Sequence, residues 1–288
     1  MKVLLHVNYH EGKGVEKLRE LFGIAAKFGY DGVELRWKYR WDDMSQTEYQ
    51  NLVAGLKNEY PQMEIVFGGN VQFCRGSRAT VERECIEYLD FLEWASKECG
   101  TRLMNFFTGA LIPEGVDTCN FHAHGSAMAS EDDYRRSAEG LRLLGNRAEK
   151  YGIRIALETH NNYLHDLPKA CKKLLDMTEC NAVGVNYDHG NVIINKFGGP
   201  ISEVFELLPD KIYYAHLKNI LLPANTFNWI CTRLDEGHIN NMELMGYLKK
   251  YLKGGVIATE YPNPGDGIIA AKKDMDYIKF LKDYLDIQ

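Results

Sequence analysis

RIALETHNNYLHDLPKACKKLLDMTECNAVGVNYD, residues 154–188, contains a complete strand–helix–strand unit. Residues 154–160 open as a short aliphatic run, and 182–188 form a second one. Between them, 168–177 carries apolar residues at helical spacing. Two short apolar runs joined by one helix predict parallel strands with a crossover connection. Each run meets a carboxylate near its carboxyl end, Glu158 in the first and Asp188 in the second.

The same alternation extends in both directions. Upstream, 2–9 (KVLLHVNY), 32–37 (GVELRW), 64–70 (EIVFGGN) and 102–108 (RLMNFFT) read as strands. Helical spacing follows them over 15–28, 46–59, 80–99 and 131–150. These helices stop at Gly29, before Pro61 and at Gly100, and the last starts after Ser130 with acidic residues in its first turn. Downstream, 211–218 (KIYYAHLK) and 255–261 (GVIATEY) complete the strands, with helices over 201–208, 241–253 and 270–285. The connections 109–130 and 219–239 are long. Eight strand–helix alternations without a linker predict a closed (β/α)₈ TIM barrel, one α/β domain over residues 1–288. The length of 288 residues agrees with a fold that typically takes about 250. No Gly-x-Gly-x-x-Gly follows the first strand and no P-loop is present, which argues against a dinucleotide-binding sheet.

Composition narrows the classes. The chain is 45% hydrophobic and 26% charged, near the globular average. A net charge of -6 with no basic stripe argues against a protein built to grip a nucleic-acid backbone. Seven scattered cysteines never form a C-x-x-C pair, as expected for reduced thiols. The amino-terminal apolar run is short for a signal peptide, and no stretch approaches the ~20 apolar residues of a membrane span. A cytoplasmic protein is expected, without nucleic-acid or membrane partners; a homo-oligomer is compatible with the sequence.

Barrel enzymes carry their chemistry at the carboxyl ends of the strands. The last four strands place Glu158 after IAL, Asp188 after VNY, His216 after YYA and Glu260 after IAT. Singly, each has an ordinary reading: a solvated carboxylate, a turn residue, a core histidine, an ion-pair partner. Together they put three carboxylates and an imidazole around one axis, where they repel unless a cation lies between them. Oxygen ligands with one nitrogen suit one divalent ion, Mn²⁺ first, with Mg²⁺, Co²⁺ or Zn²⁺ as alternatives.

The chain also resembles the sugar-phosphate isomerase/epimerase family with the xylose-isomerase-like barrel. FGYDGVELRW (28–37), IALETH (155–160), GVNYDHGN (184–191), YYAHLKN (213–219), DEGHIN (235–240) and IATEYPNP (257–264) carry the resemblance. It implies a metal held by Glu158, Asp188, His216 and Glu260. It further implies that Glu158 and Glu260, on opposite faces of a bound sugar, remove and return a proton beside a carbonyl through a metal-stabilised enediolate. Three positions depart from the family pattern. Asn191 stands where many members carry a second histidine; Leu164 and Leu222 stand where free-ketose epimerases carry a glutamate and an arginine. The substrate-gripping shell therefore differs, and Arg233 or Lys218 is expected to supply a positive group.

Further residues join the expected substrate-facing set. His6 on the first strand and Glu34 near the end of the second point toward the mouth, and Glu34 is suited to orient a hydroxyl or a histidine. His160 follows Glu158 by two, on the same side of an extended strand, and Lys218 stands so to His216. Asn191 completes the set. Trp37, Trp41, Phe106 and Phe107 read as core or as walls for a sugar ring. His122 and His124 have H-A-H spacing but no acidic partner nearby, and His238 reads as a loop histidine. The leading expectation is a metal-dependent isomerase or epimerase of a sugar or polyol-derived hydroxy-carbonyl compound. A dehydratase shares its first step. A phosphodiesterase of the kind that cleaves abasic DNA favours several metals and many histidines, and only His216 sits at a strand end.

Overall fold

The computed structural model describes residues 1–10, 14–38, 44–222, 229–261 and 265–288. Trp41 and the proline-rich end of IATEYPNP lie outside the described residues. The chain runs β1 (Lys2–His6), α1 (Gly14–Phe28), β2 (Gly32–Arg36), α2 (Gln46–Glu59), β3 (Glu64–Asn70), α3 (Arg78–Cys99), β4 (Leu103–Phe107), α4 (Glu131–Lys150) and β5 (Arg154–Glu158). It continues α5 (Pro168–Thr178), β6 (Val183–Asp188), α6 (His189–Ile193), α7 (Ser202–Leu207), β7 (Ile212–Leu217), β8 (Asn219–Leu221), β9 (Ile230–Thr232), α8 (Asn241–Tyr251), β10 (Val256–Thr259) and α9 (Gly267–Tyr284). Eight of these strands close into a barrel in the order β1-β10-β7-β6-β5-β4-β3-β2. Every pairing around it is parallel. The predicted (β/α)₈ TIM barrel is therefore the fold.

Local chemistry explains the helix ends. Ser130 starts α4 with a capping box to Asp133, and Ser45 does the same for α2 with Glu48. Gly100 ends α3 at φ 66°, a left-handed turn that favours glycine. Pro168 opens α5, where its missing N–H has no partner to lose.

Two apolar compartments hold the barrel. The larger lies between the outer face of the strands and the helices. The smaller plugs the interior and includes Leu4, Val66, Leu103, Ala156, Tyr214 and Ala258. Side chains alternate along a strand, so the residue two places further on faces the same interior. Two places beyond those six stand His6, Gly68, Asn105, Glu158, His216 and Glu260. The plug and the polar layer above it are one alternation read at two heights. The adjacent Gly69 faces outward, where a Cβ would lie 2.3 Å from the buried Tyr88 ring.

Several connections differ from their sequence reading. Strand β5 stops at Glu158, so His160 sits in the following loop. The segment after β7 contains the antiparallel pair β8–β9. In 109–130, short 3₁₀ turns cover Phe121–Ala123 and Gly125–Ala127. Among the described residues, no helix is long and apolar enough to cross a membrane.

Gly69→Ala is expected to lower unfolding stability by about 1–3 kcal/mol, because the buried Tyr88 has little room to retreat. Urea melts with matched slopes check this; a loss below about 0.5 kcal/mol would show that the ring moves freely.

Candidate metal centre and active site

The centre begins with the hydrogen bond between β2 and β7. Nε2 of His216 lies 2.8 Å from Glu34 Oε2, and Tyr214 Oη donates to the same oxygen at 2.6 Å. Burial works against ionisation of Glu34, but His216 and His6 hold its carboxyl down at about 2. An ionised carboxylate only accepts, so Nε2 carries a proton and Nδ1 is the imidazole atom left for other work. Nδ1 is buried and has no hydrogen-bond partner. It faces Glu260 Oε2 at 3.3 Å, Glu158 Oε2 at 3.5 Å and Asp188 Oδ2 at 3.9 Å.

One ligand atom each from Glu158, Asp188, His216 and Glu260 lies within 4.8 Å of the others, and all four residues are buried. Against the opposing effect of burial, Glu34 and Glu158 push His216 well above the ordinary histidine range. Burial pushes Glu158 and Asp188 above the usual carboxylate range, while His216 and Lys218 pull the other way. Burial opposes the charge on Glu260 as well, but Lys218 and His216 hold its carboxyl below the usual range. An orphaned imidazole nitrogen aimed at three carboxylates is the donor set that one divalent cation fits, and a bound cation would take the place of the proton on Nδ1.

Amides hold the carboxylates in position. Asn105 Nδ2 donates to Glu158 Oε2 at 2.7 Å and to Glu34 Oε1 at 3.0 Å. Asn186 Nδ2 donates to Asn105 Oδ1 at 3.1 Å, which fixes that amide's orientation. Asn191 Nδ2 donates to Asp188 Oδ2 at 2.9 Å and to Glu158 Oε1 at 3.1 Å. Asn8 Nδ2 donates to Glu260 Oε1 at 2.8 Å. Lys218 Nζ stands 2.8 Å from both Asp188 Oδ2 and Glu260 Oε2.

A cavity of about 430 Å³ opens onto this cluster, with Glu158, Glu260, His6 and Glu34 in its lining. Asn8, Arg36, Trp37, Asn70, Phe107, His160 and Tyr163 form its walls. Gly68 leaves the β3 side of the floor open. Its φ is not positive, and a Cβ there would meet nothing closer than Leu35 O at 3.8 Å and Glu34 Oε1 at 3.9 Å. Larger hollows of about 460 Å³ at the amino-terminal end of the barrel, about 670 Å³ between the start of α2 and α3, and about 890 Å³ between α3 and α4 are not lined by any of the four clustered residues.

The structure thus gathers Glu158, Asp188, His216, Glu260, Glu34, His6, Asn191 and Lys218 into one buried group, with His160 on the cavity wall. Glu34 binds a histidine, as one sequence reading allowed. Arg233 goes elsewhere: its guanidinium pairs with Asp235 at 3.2 Å and with Glu236, at 2.5 Å, in its own loop. Phe106 packs in the core, and Phe107 and Trp37 line the cavity. His124 is buried against Asn162, and among the described residues it joins no metal-ligand group. His238 accepts from the Leu222 backbone N–H at 3.0 Å. Sequence reasoning missed Asn105, Asn186, Tyr214 and Asn8. Asn105 and Asn186 carry a usable signal, an amide interrupting an apolar strand two residues from an inward position. Asn8 lies in a 3₁₀ turn and carries none.

With this geometry in view, the matches to known proteins fall into place. The model of the xylose isomerase-like TIM barrel family matches residues 22–283, and the chain belongs to that family. The inosose dehydratase of Clostridium perfringens is 27% identical over 139 residues, 48% of this chain and 44% of that protein. The chain thus spans less than half the length of the curated relatives it matches. The D-allulose 3-epimerase from Methylomonas sp. in complex with D-allulose superimposes with a TM-score of 0.75 at 17% identity, covering 97% of this chain and 96% of that one. The IOLI protein with a bound zinc atom gives 0.74 at 18% identity, covering 99% and 98%. At these identities the two structures show the shared fold.

Glu34→Gln removes the anionic acceptor of His216. It is expected to weaken Mn²⁺ binding about 10–100-fold while the circular dichroism spectrum is retained. Calorimetric titration measures this, and unchanged affinity would reduce Glu34 to a packing role.

Proposed function

We propose that this chain is a divalent-metal-dependent enzyme acting on a sugar or polyol-derived ketone by removing a proton beside the carbonyl. The observation that carries the reading is the unpartnered Nδ1 of His216, buried and facing three carboxylates at 3.3–3.9 Å. Glu158, Asp188, His216 and Glu260 would hold the ion. When bound, it would polarise the substrate carbonyl and favour the enediolate, with Mn²⁺ the first choice.

Glu158 is the base. Asn105 and Asn191 fix both of its oxygens, and burial raises its proton affinity above that of a solvated carboxylate. Glu260 lines the same cavity and is steadied by Asn8. Return of the proton by Glu158 itself would complete an isomerisation; in an epimerisation Glu260 would deliver a second proton, which it must first take up from solvent because Lys218 and His216 hold it ionised. His6, His160 and Asn70 offer polar contacts to hydroxyls, and Phe107, Tyr163 and Trp37 offer flat faces to a ring. The open floor at Gly68 lets a substrate hydroxyl approach Glu34 Oε1.

A dehydratase reading is favoured by the inosose dehydratase relatives. It uses the same deprotonation by Glu158 and then loses a β-hydroxyl as water. Leu164 is buried core and Leu222 is partly buried against it, so neither offers a polar group to a substrate. This loss of the two epimerase grips fits either outcome.

Incubation with Mn²⁺ in deuterated water, with a panel of ketoses and inososes read by NMR, tests the shared step. Exchange beside the carbonyl is expected with at least one compound; exchange with none would sink the reading. Glu158→Gln is expected to lower kcat/KM by about 10²–10⁴-fold with the fold intact. Gly68→Val is expected to retain Mn²⁺ binding and raise KM for whichever compound turns over, and an unchanged KM would remove β3 from the substrate site.

A further inference from the structure

Lys218 is not free to meet a substrate. Three oxygens surround Nζ: Asp188 Oδ2 at 2.8 Å, Glu260 Oε2 at 2.8 Å and Asn191 Oδ1 at 3.2 Å. Of the three, Asn191 Oδ1 accepts a hydrogen bond, and the two carboxylate oxygens hold the ammonium as ion pairs. The stem is fixed as firmly as the head. Lys218 is 6% exposed, and a Cβ on Gly190 would lie 2.3 Å from its Cγ. Gly190 does not have a positive φ, so its missing side chain serves to let the lysine stem pass. Asn191 orients itself to the charges on both sides, with its carbonyl on the ammonium and its amide on Asp188 and Glu158.

We propose that Lys218 is a resident counter-cation of the metal site. It shares Asp188 Oδ2 and Glu260 Oε2 with the divalent ion, stabilises the metal-free protein, and sets metal affinity below what the four ligands alone would give. The inference rests on the metal-dependent reading above. Those two oxygens also face His216 Nδ1, so they border the space in which a shared ion would lie. Charge balance agrees. Glu34, Glu158, Asp188 and Glu260 place four carboxylates in one buried group. Lys218 and a single divalent ion leave one negative charge, whereas a second divalent ion would reverse the sign. The lysine thereby restricts the centre to one metal, which suits proton abstraction better than phosphodiester cleavage.

Calorimetric titration with Mn²⁺ and thermal melts with and without Mn²⁺ test this on the full chain, comparing wild type, Lys218→Met and Lys218→Arg. Lys218→Met is expected to bind one Mn²⁺ per chain at least tenfold more tightly. Its metal-free melting temperature is expected to fall, and its rise on adding Mn²⁺ to exceed that of wild type. Lys218→Arg keeps the charge and is expected to show no such gain in affinity. Should Lys218→Met fail to fold without metal, Lys218→Gln, which can still bond to Asn191, provides the same comparison. Equal or weaker Mn²⁺ binding in the neutral variants, with wild-type binding intact, overturns the counter-cation alone. Absence of Mn²⁺, Mg²⁺ and Zn²⁺ binding in wild type and variants overturns the metal reading and this inference with it.

Discussion

Glu34 decides which nitrogen of His216 looks into the barrel mouth. By accepting from Nε2, it leaves Nδ1 pointing at Glu158, Asp188 and Glu260 with no hydrogen-bond partner of its own. A lone pair facing three carboxylates in a buried space is unstable unless something positive joins them. A proton on Nδ1, the Lys218 ammonium and a divalent ion are three ways to supply that charge. The amides of Asn105, Asn191 and Asn8 are arranged to suit any of the three, since each turns its NH₂ toward a carboxylate. The centre is therefore a fixed arrangement of negative charge whose occupant can change.

The barrel supplies the rigidity that this arrangement needs. Six residues of the interior plug lie two places before six residues of the polar layer, on the same strands. Packing the plug fixes the strands in register, and register fixes the heights of the site residues. At β3 the inward place goes to Gly68, which opens the floor, while Gly69 beside it yields outward space to Tyr88. The two glycines serve opposite compartments, one opening onto the cavity and one giving room to helix–sheet packing.

The departure from the family pattern at Asn191 is structural as well as chemical. Asn191 occupies the place of a second histidine, and it bridges Asp188, Glu158 and Lys218 as an amide that both donates and accepts. An imidazole in one tautomer could not donate twice to carboxylates and also accept from an ammonium. Asn191 and Lys218 thus form a matched pair, and apart from Glu260 the cavity's polar side chains lie on the β1–β5 side of the mouth.

The sequence by itself determined the barrel and the four positions, Glu158, Asp188, His216 and Glu260, that converge at its mouth. Both are local in origin: strand and helix periods are written over a few residues, and a carboxylate ending an apolar strand needs no distant partner to be noticed. Helix ends at Ser130 and Gly100 were legible for the same reason. Tertiary structure alone decided the rest. Asn105 meets Glu34 and Glu158 across separations of 71 and 53 residues, so its role depends on barrel closure and register. Asn8 reaches Glu260 across 252 residues. Arg233, expected at the substrate, finds nearer carboxylates in its own loop. Lys218, expected there too, turns to Asp188 and Glu260, because a long flexible cation goes to the strongest negative field within reach. That field is the sum of charges from several strands, and it exists only once the barrel has closed.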